Sequence, residues 1–414
     1  MTASNVSDKR ASAATLASLA LLYVAQGIPY GLAAEYVPVV LREERYSLTA
    51  INAIGWLQLP WQLKVLWAKV GDHPDARPHA RSILLALQVG LAAVVALGVV
   101  RPLREAPTLW FVMLALTALL ASTQDVFVDA LAVRSLGPHD RGWGNVAQVG
   151  GYRLGMLGGG AGLLLLASSF GARSTLAACS AVILVASVGA FVVRERDAPP
   201  PSAPSSRQAP GRSRLAFLAK RAFGADAWPV LATAAAFKLG LHVASALIKP
   251  MVVDARWTQA EIGWAVVTVG TGAGLAGAAV GGAVHRALGE ARALVVACVL
   301  QAIVCVPLVV ALRLGVPRGA TTFAIAVEHF TSGVGTTVLF AALMSATRRG
   351  DAALHYTLLT SANGIGIGVA GVVAGLVGDT VGKEAGFVLG GALGLAPLLW
   401  LGRWRAAAEA SAAE

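Results

Sequence analysis

Charged residues are scarce in this sequence, and their scarcity excludes an ordinary soluble protein. Only 13% of the 414 residues are charged, whereas a soluble chain of this length has about 25%. Cysteine is also scarce: Cys179, Cys298 and Cys305 form no C-x-x-C pair, which argues against a disulfide framework or a zinc site. The phosphate-binding sequence G-x-x-x-x-G-K-[ST] does not occur, so the chain is not expected to hydrolyse ATP. No cofactor is therefore expected.

Apolar residues, by contrast, are abundant and occur in long runs. They make up 56% of the chain, and the mean hydropathy is +0.68. The runs are roughly 20 residues long, enough for a helix to cross a bilayer and far longer than a barrel strand. They predict an all-α membrane protein with twelve transmembrane helices, at about 13–40, 49–70, 82–100, 108–133, 143–167, 174–193, 228–250, 260–284, 293–312, 320–346, 353–378 and 384–402.

The distribution of lysine and arginine predicts the orientation. These residues concentrate in alternate loops, and loops rich in Lys and Arg remain in the cytoplasm, so both termini are predicted to be cytoplasmic. The net charge of +11 is explained by this topology and by attraction to anionic lipid. A nucleic-acid partner is therefore not needed.

The segment 195–226 is rich in Pro, Ser and Arg, which is typical of an unstructured linker. It divides the chain into a predicted N-terminal six-helix half, 1–194, and a C-terminal six-helix half, 227–414. A weak repeat supports the division, since Ser47 and Thr258 each follow the first helix of a half and suit helix N-caps, the latter with Glu261 at capping-box spacing. Two such halves joined by a cytoplasmic linker are typical of the major facilitator fold.

Several charges lie inside the predicted spans. Counted from the cytoplasmic ends at the rise of an α-helix, Lys64, Asp125 and Arg153 lie at depths of roughly 11, 13 and 16 Å. Asp129 is shallower, at roughly 6 to 8 Å, and lies on nearly the same helix face as Asp125. A carboxylate in the bilayer centre costs about 2.5–3.5 kcal/mol, so the pair should face a partner or a water-filled cavity.

Two interpretations of these charges stay open. In the first, Asp125 and Asp129 carry protons, and Arg153 pairs with Asp125 until an anionic solute binds its guanidinium fork. In the second, Asp125 and Arg153 are a static ion pair between consecutive helices. Lys64 either joins the site or extends towards the membrane interface.

Other polar residues in the spans are weaker candidates. Lys238 and Glu328 could bind an ionised part of a solute or form a structural hydrogen bond, and Gln26 could present its amide to a sugar or peptide. Pro29 should kink the first helix. Small residues at four-residue spacing predict close helix packing and not ligand sites, at Gly151, Gly155 and Gly159, at Gly277 and Gly281, and at Gly364 and Gly368.

Four stretches in the first half resemble one family. They are QGIPYGL (26–32), LPWQLKVLWAKVGD (59–72), STQDVFVDAL (122–131) and GYRLGM (151–156). They are similar to the AmpG-type muropeptide permeases, a branch of the major facilitator superfamily that includes acetyl-CoA transporters, and the resemblance extends through 328–345. It implies a proton-driven carrier that imports anhydro-muropeptides from the periplasm, with Asp72 as a gating-loop acid. The sequence departs from the family pattern around Asp72.

Transport is the function that these observations favour. A membrane enzyme would need a nucleophile or metal cluster near one interface, and a receptor would not need charges at the membrane centre. We expect a monomeric, multi-pass protein of the bacterial inner membrane that handles a small-molecule solute and protons. The leading substrate is an amphiphilic anion such as an anhydro-muropeptide. The alternatives are an acetyl-CoA-like or other organic anion, and proton-driven efflux.

Overall fold

A computed structural model describes the protein over residues 13–67, 70, 76–136, 141–193, 228–346 and 352–404. Within these residues all regular secondary structure is helical. Three predictions lie outside the described residues: the linker at 195–226, the gating acid Asp72, and the cytoplasmic position of the two chain ends.

We number the helical segments α1 to α12 in chain order. In the described ranges, eleven are long and apolar enough to cross a membrane. Their bounds are α1 Ala13–Glu43, α3 Ala80–Val100, α4 Pro107–Ser135, α5 Arg141–Leu157 continued by Gly158–Gly162 and Leu163–Phe170, α6 Ala172–Val192, α7 Trp228–Asp254, α8 Gln259–Leu288, α9 Glu290–Leu314, α10 Arg318–Ser345, α11 Ala352–Thr380 and α12 Lys383–Leu401.

The remaining segment, α2, differs from the continuous helix predicted at 49–70. It alternates short α-helical and 3-10 pieces, at Leu48–Ala53, Ile54–Gln58, Leu59–Leu63 and Lys64–Leu66. Pro60 has no N–H to donate to the preceding turn, and Gly55 gains less than other residues from helical order. Together they interrupt the ladder of helical hydrogen bonds.

The first helix is also irregular, close to the predicted kink at Pro29. An α-helix over Ala13–Gly31 contains this proline and is followed by a π-helical turn at Leu32–Tyr36. A second π-helical turn, at Gly158–Gly162 in α5, contacts the first. Such turns within α-helices frequently mark functional sites.

The chain divides into two compact units. The first unit consists of Met1–Leu41 and Trp56–Pro204, and the second of Arg42–Gly55 and Ser205–Glu414. The first therefore holds most of α1, the end of α2, and α3 to α6. The second holds the end of α1, the start of α2, and α7 to α12. The boundaries 1–194, 195–226 and 227–414 stay predictions.

Glycines bring α1 and α5 into close contact in the first unit. A Cβ atom at Gly155 would meet the carbonyl oxygen of Val24, and one at Gly159 would meet that of Ile28. A Cβ at Gly151 would likewise meet the carbonyl of Ala20. The predicted packing role of this glycine stripe is confirmed. Because residue numbers rise together on the two helices, α1 and α5 run parallel.

The second unit uses glycine in the same way between α8 and α10. A Cβ at Gly277 would meet the carbonyl of Phe330, and one at Gly281 that of Val334. On α11 a Cβ at Gly375 would meet the Cα of Thr49, and another close approach is at Gly366, where a Cβ would meet the carbonyl of Ala235. This position lies two residues from the predicted Gly364 and Gly368, on a different face of the helix.

Both predicted N-caps are confirmed. The Ser47 hydroxyl at the start of α2 accepts a hydrogen bond from the Ala50 amide at 3.1 Å. At the start of α8, Thr258 and Glu261 form a reciprocal capping box. Each cap satisfies amide groups that the first helical turn leaves without partners.

Candidate functional site

Three charged side chains meet inside the first unit. The Lys64 ammonium forms an ion pair with Asp125, and its Nζ also lies 3.6 Å from Asp129 Oδ2. The Asp125 side chain is 13% exposed, whereas those of Lys64 and Asp129 are 33% and 37% exposed. One lysine therefore serves two carboxylates, and with both acids ionised the three groups carry one net negative charge.

Two neutral donors complete the arrangement around Asp129. Its Oδ1 accepts hydrogen bonds from the Tyr23 hydroxyl at 2.9 Å and from Gln148 Nε2 at 3.1 Å. The two oxygens of this carboxylate therefore have different surroundings: Oδ1 faces neutral donors, and Oδ2 faces the lysine. We name the five residues the charged cluster: Tyr23, Lys64, Asp125, Asp129 and Gln148.

The local fold explains why these residues meet. Asp125 and Asp129 stack on one face of α4 because they are four residues apart. The close approach of α1 and α5 fixes Tyr23 beside the acids, since a Cβ at Gly151 would touch the Tyr23 side chain. Lys64 lies in the last 3-10 turn of the interrupted α2.

Arg153 does not form the predicted ion pair with Asp125. Among the described residues Asp125 pairs with Lys64, and Arg153 has no ion-pair partner. Gly151 and Gly155 face α1, and Arg153 lies about 200° around α5 from each of them. The half-buried guanidinium therefore points away from the side that packs on α1.

Gln26, the uncharged residue among the site residues predicted in the first half, is fully buried in α1. Neither its Oε1 nor its Nε2 has a hydrogen-bond partner among the described residues. A buried amide without partners costs free energy, so this position is unusual for a purely structural residue.

In the second unit, Lys238 lies where α7 is interrupted. The α-helix is interrupted at Phe237 and Lys238, between its segments Trp228–Ala236 and Leu239–Asp254. Lys238 is 6% exposed, and its Nζ donates to Thr336 Oγ1 at 2.5 Å and lies 3.4 Å from Ser332 Oγ. Both partners are neutral, and no carboxylate of the described chain forms an ion pair with this lysine.

Glu328 lies on the same face of α10 as Ser332, one turn earlier. It is 1% exposed, accepts a hydrogen bond from the Ser245 hydroxyl, and has Oε2 at 2.8 Å from His329 Nδ1. His242 Nδ1 contacts the Lys238 carbonyl oxygen at 3.0 Å. A line of polar groups thus runs between α7 and α10.

Sequence reasoning does not single out Tyr23 and Gln148, although a signal for one of them exists. Counted from the predicted start of its span, Gln148 lies at about 8 Å, which is the depth predicted for Asp129. A search for polar residues of equal depth would have found it. Tyr23 gives no comparable signal, because a tyrosine in an apolar helix is common in protein cores. In the described part of the chain, no group of three or more His, Cys, Asp or Glu could hold a metal ion.

Comparison with known proteins identifies the relatives of this chain. The sequence profile described as Major Facilitator Superfamily matches residues 19–347. An anhydromuropeptide permease of Escherichia coli (strain K12) is 26% identical over 359 residues, which cover 84% of this chain and 71% of that protein. AmpG 4 of Rickettsia conorii is 26% identical over 353 residues, 83% of this chain and 85% of that one.

Solved structures share the fold. A POT family transporter, PepTSo, superposes with a TM-score of 0.67 at 10% identity, over 96% of this chain and 97% of that chain. A D-xylose-proton symporter superposes with a TM-score of 0.64 at 12% identity, over 94% and 95% of the two chains. At these identities the likeness concerns the fold alone.

Proposed function

The chain belongs to the Major Facilitator Superfamily, and we propose that it is a proton-coupled importer of an amphiphilic anion such as an anhydro-muropeptide. Membership makes it a transporter of small-molecule solutes and not an enzyme. Together with the bacterial relatives and the eleven apolar spans in the described ranges, membership makes it a multi-pass protein of the inner membrane. The substrate, the direction and the coupling ion are the proposal.

The charged cluster is the observation that carries the proposal. Two carboxylates share one lysine, so a proton on either acid would make the three groups electrically neutral. A site inside a membrane protein that becomes neutral by taking up one proton is suited to carry that proton between compartments. Asp129 is the acid we assign to the exchange, because it is the more exposed of the two and Lys64 contacts it less closely.

Arg153 is assigned to the anionic part of the solute. Its planar guanidinium can donate two parallel hydrogen bonds to a carboxylate or a phosphate. It lies in the membrane-spanning part of α5 without an ion pair among the described residues, so an incoming anion would not have to displace an internal carboxylate. In the second unit, the hydrogen bonds of Lys238 within the described chain go to two neutral hydroxyls, and we assign this lysine a second attraction for anions.

The relatives support the choice of solute. The E. coli relative is named an anhydromuropeptide permease, and such a solute combines sugar rings with carboxylates. A phosphate-bearing solute related to acetyl-CoA is the second candidate, because the guanidinium of Arg153 binds phosphate in the same bidentate way.

Uptake into proteoliposomes tests the proposal. Purified protein should accumulate labelled anhydro-muropeptides in response to an inward proton gradient, and should accumulate acetyl-CoA or amphipathic drugs far less. Arg153→Ala should raise the KM for the anhydro-muropeptide about tenfold, since a charge-assisted bidentate contact is lost. Arg173→Ala, at an exposed position on α6, is the control and should leave the KM unchanged. Preferential uptake of acetyl-CoA would replace the proposed substrate by the second candidate.

A further inference from the structure

Three aromatic side chains form a cluster in the first unit that the proton step does not use. The ring centroids of Tyr30 on α1 and Trp61 on α2 lie 6.3 Å apart, with the rings at 85°. Those of Tyr30 and Tyr152 on α5 lie 5.7 Å apart at 54°. We name these three residues the aromatic cluster.

Each member of the aromatic cluster shares a helix with a member of the charged cluster. The two residues of each pair are three, four or seven positions apart, spacings that place them near the same helix face. The pairs are Tyr23 and Tyr30 on α1, Lys64 and Trp61 on α2, and Gln148 and Tyr152 on α5.

The direction of the chain places the three rings on one side of the charges. On α1 and α5, which run parallel, the aromatic residue follows its charged-cluster partner in sequence. On α2 it precedes its partner, and contacts with both clusters show that α2 runs opposite to α1 here. The aromatic cluster is thus a second layer, displaced from the charged cluster by about 5 to 10 Å along the helices.

The polar atoms of this layer are not used internally. In the described part of the chain, the hydroxyls of Tyr30 and Tyr152 and the indole N–H of Trp61 make no hydrogen bond, and all three side chains are half-buried. A second group of aromatic residues in the described part of this unit, the pair Tyr36 and Trp110, is different. Both residues are at most 5% exposed, and the Trp110 indole donates to the Arg101 carbonyl at 2.9 Å.

We propose that the aromatic cluster binds a pyranose ring of the solute. This inference rests on the proposed function, which it extends by assigning the sugar part of the substrate to a place separate from the proton site. The face of an aromatic ring carries a partial negative charge and attracts the weakly positive C–H groups on one face of a sugar. The hydroxyls and indole N–H around the ring faces can donate to sugar oxygens.

The geometry favours a sugar over a planar base. A nucleotide base binds best between parallel aromatic faces or stacked on one of them. Here the rings meet at 85° and 54°, so they form an angled surface with polar groups at its edges. A pyranose fits such a surface, because it presents C–H groups on a face and hydroxyls around its rim. Arg153, which we assign to the anionic part of the solute, follows Tyr152 directly in α5.

Binding of the peptide-free disaccharide tests the inference directly. The probe is N-acetylglucosaminyl-anhydro-N-acetylmuramic acid, and titration calorimetry on the purified full chain measures its Kd. Trp61→Leu should weaken binding about tenfold, and Trp61→Phe should stay within about threefold of the parent, because the ring face is kept. Phe191→Leu removes an exposed aromatic ring of α6 in the same unit and should leave the Kd unchanged.

Two further variants protect the test against a folding defect of Trp61→Leu. Tyr30→Phe and Tyr152→Phe keep the rings and remove only the hydroxyls, and each should weaken disaccharide binding about threefold. The inference is overturned if the parent protein does not bind the disaccharide, or if Trp61→Leu and both Tyr→Phe variants bind it as tightly as the parent. Competition by 3′-phosphoadenosine that depends on Trp61 would also overturn it, in favour of a base-stacking site.

The outcome for the aromatic cluster is separable from that for the proposed function. If the disaccharide binds through Trp61 but anhydro-muropeptides are not accumulated, the sugar site stands and the proposed transport activity falls. If anhydro-muropeptides are accumulated with the same KM by the parent and by all the cluster variants, the transport activity stands and the sugar site falls.

Discussion

Lys64 contacts both carboxylates of α4. Substitution of the lysine should therefore lower the free energy of unfolding by more than substitution of one of the acids. Lys64→Met leaves Asp125 and Asp129 one turn apart with no cation from the described residues beside them. We expect it to lower the free energy of unfolding by about 1–3 kcal/mol, less than for a fully buried pair because Lys64 is 33% exposed. Asp125→Asn should lower the free energy of unfolding by a smaller amount, since Lys64 still has Asp129 as its partner. Melting temperatures of the two variants in detergent show which substitution destabilises the protein more.

The double variant Lys64→Met with Asp129→Asn removes the assigned proton acid together with the lysine, and it separates a proton-exchange site from a static group of charges. It should regain most of the stability lost in Lys64→Met, because only one acid remains in place of two. We expect it to retain solute exchange and to lose gradient-driven accumulation. Accumulation equal to that of the parent protein would show that the charges are structural and that the coupling role of Asp129 is wrongly assigned.

Tyr23 provides a gentler perturbation of Asp129. Tyr23→Phe removes one donor from Oδ1 while Gln148 keeps the other. A hydrogen bond to a charged group contributes about 1.5–3 kcal/mol, so the ionised form of Asp129 becomes less favourable. We expect the ratio of gradient-driven uptake to counterflow to fall severalfold. Tyr152→Phe, which removes a hydroxyl outside the charged cluster, should leave this ratio unchanged even where it weakens solute binding.

The depth of the charged residues in the membrane could be predicted from the sequence. The helix face on which each of them lies, which decides their contacts, could not. Counting residues correctly put Lys64 and Asp125 at similar heights, and the structure joins them. Arg153 is at a similar height but on another face of α5, because that face is set by the glycines that pack on α1. The hydrogen-bond partner Tyr23 could not be predicted, since its role depends on how closely α1 and α4 approach.

At the scale of the helices, the contact between α1 and α5 positions two of the five residues of the charged cluster. Gly155→Ala would place a methyl group against the Val24 carbonyl and the Cα of Gly27, so the helices must separate. We expect a lower melting temperature together with weaker coupling. Gly150→Ala, on the same helix, meets nothing within 4 Å and should be neutral or stabilising by up to about 1 kcal/mol, the helix propensity difference. Equal melting temperatures would refute the packing role.

The hydrophobic runs predicted which segments form helices, but they did not predict where those helices are interrupted. Eleven predicted spans correspond to long helices in the described ranges. The interruption of α2 could be suspected from Gly55 and Pro60. The break of α7 falls on Phe237 and Lys238, neither of which is a helix breaker, although Gly240 follows in the next turn. That break accompanies the hydrogen bonds of Lys238 to α10, which are tertiary contacts and leave no pattern in the sequence.

At the scale of the whole molecule, the orientation in the membrane is open to a direct test. The Lys and Arg distribution predicts that the linker at 195–226 is cytoplasmic. A reporter inserted near Ser205 should therefore be active only if it is an enzyme that functions in the cytoplasm. A periplasmic phosphatase inserted at this point should be inactive. Phosphatase activity there would contradict the twelve-span topology, and activity of both reporters would indicate a mixed orientation.

Energy coupling concerns the whole molecule, because it joins the proton step to the movement of the solute. The charged cluster supplies a site that one proton neutralises, and the sequence contains no nucleotide-binding loop of the Walker type. We therefore expect solute accumulation in cells or vesicles to collapse when a protonophore dissipates the gradient. Depletion of ATP at a constant gradient should have no effect. Counterflow, which needs no net proton movement, should continue under both treatments, and this control shows that the protein remains intact. Uptake that follows the ATP concentration at a constant gradient would exclude proton coupling.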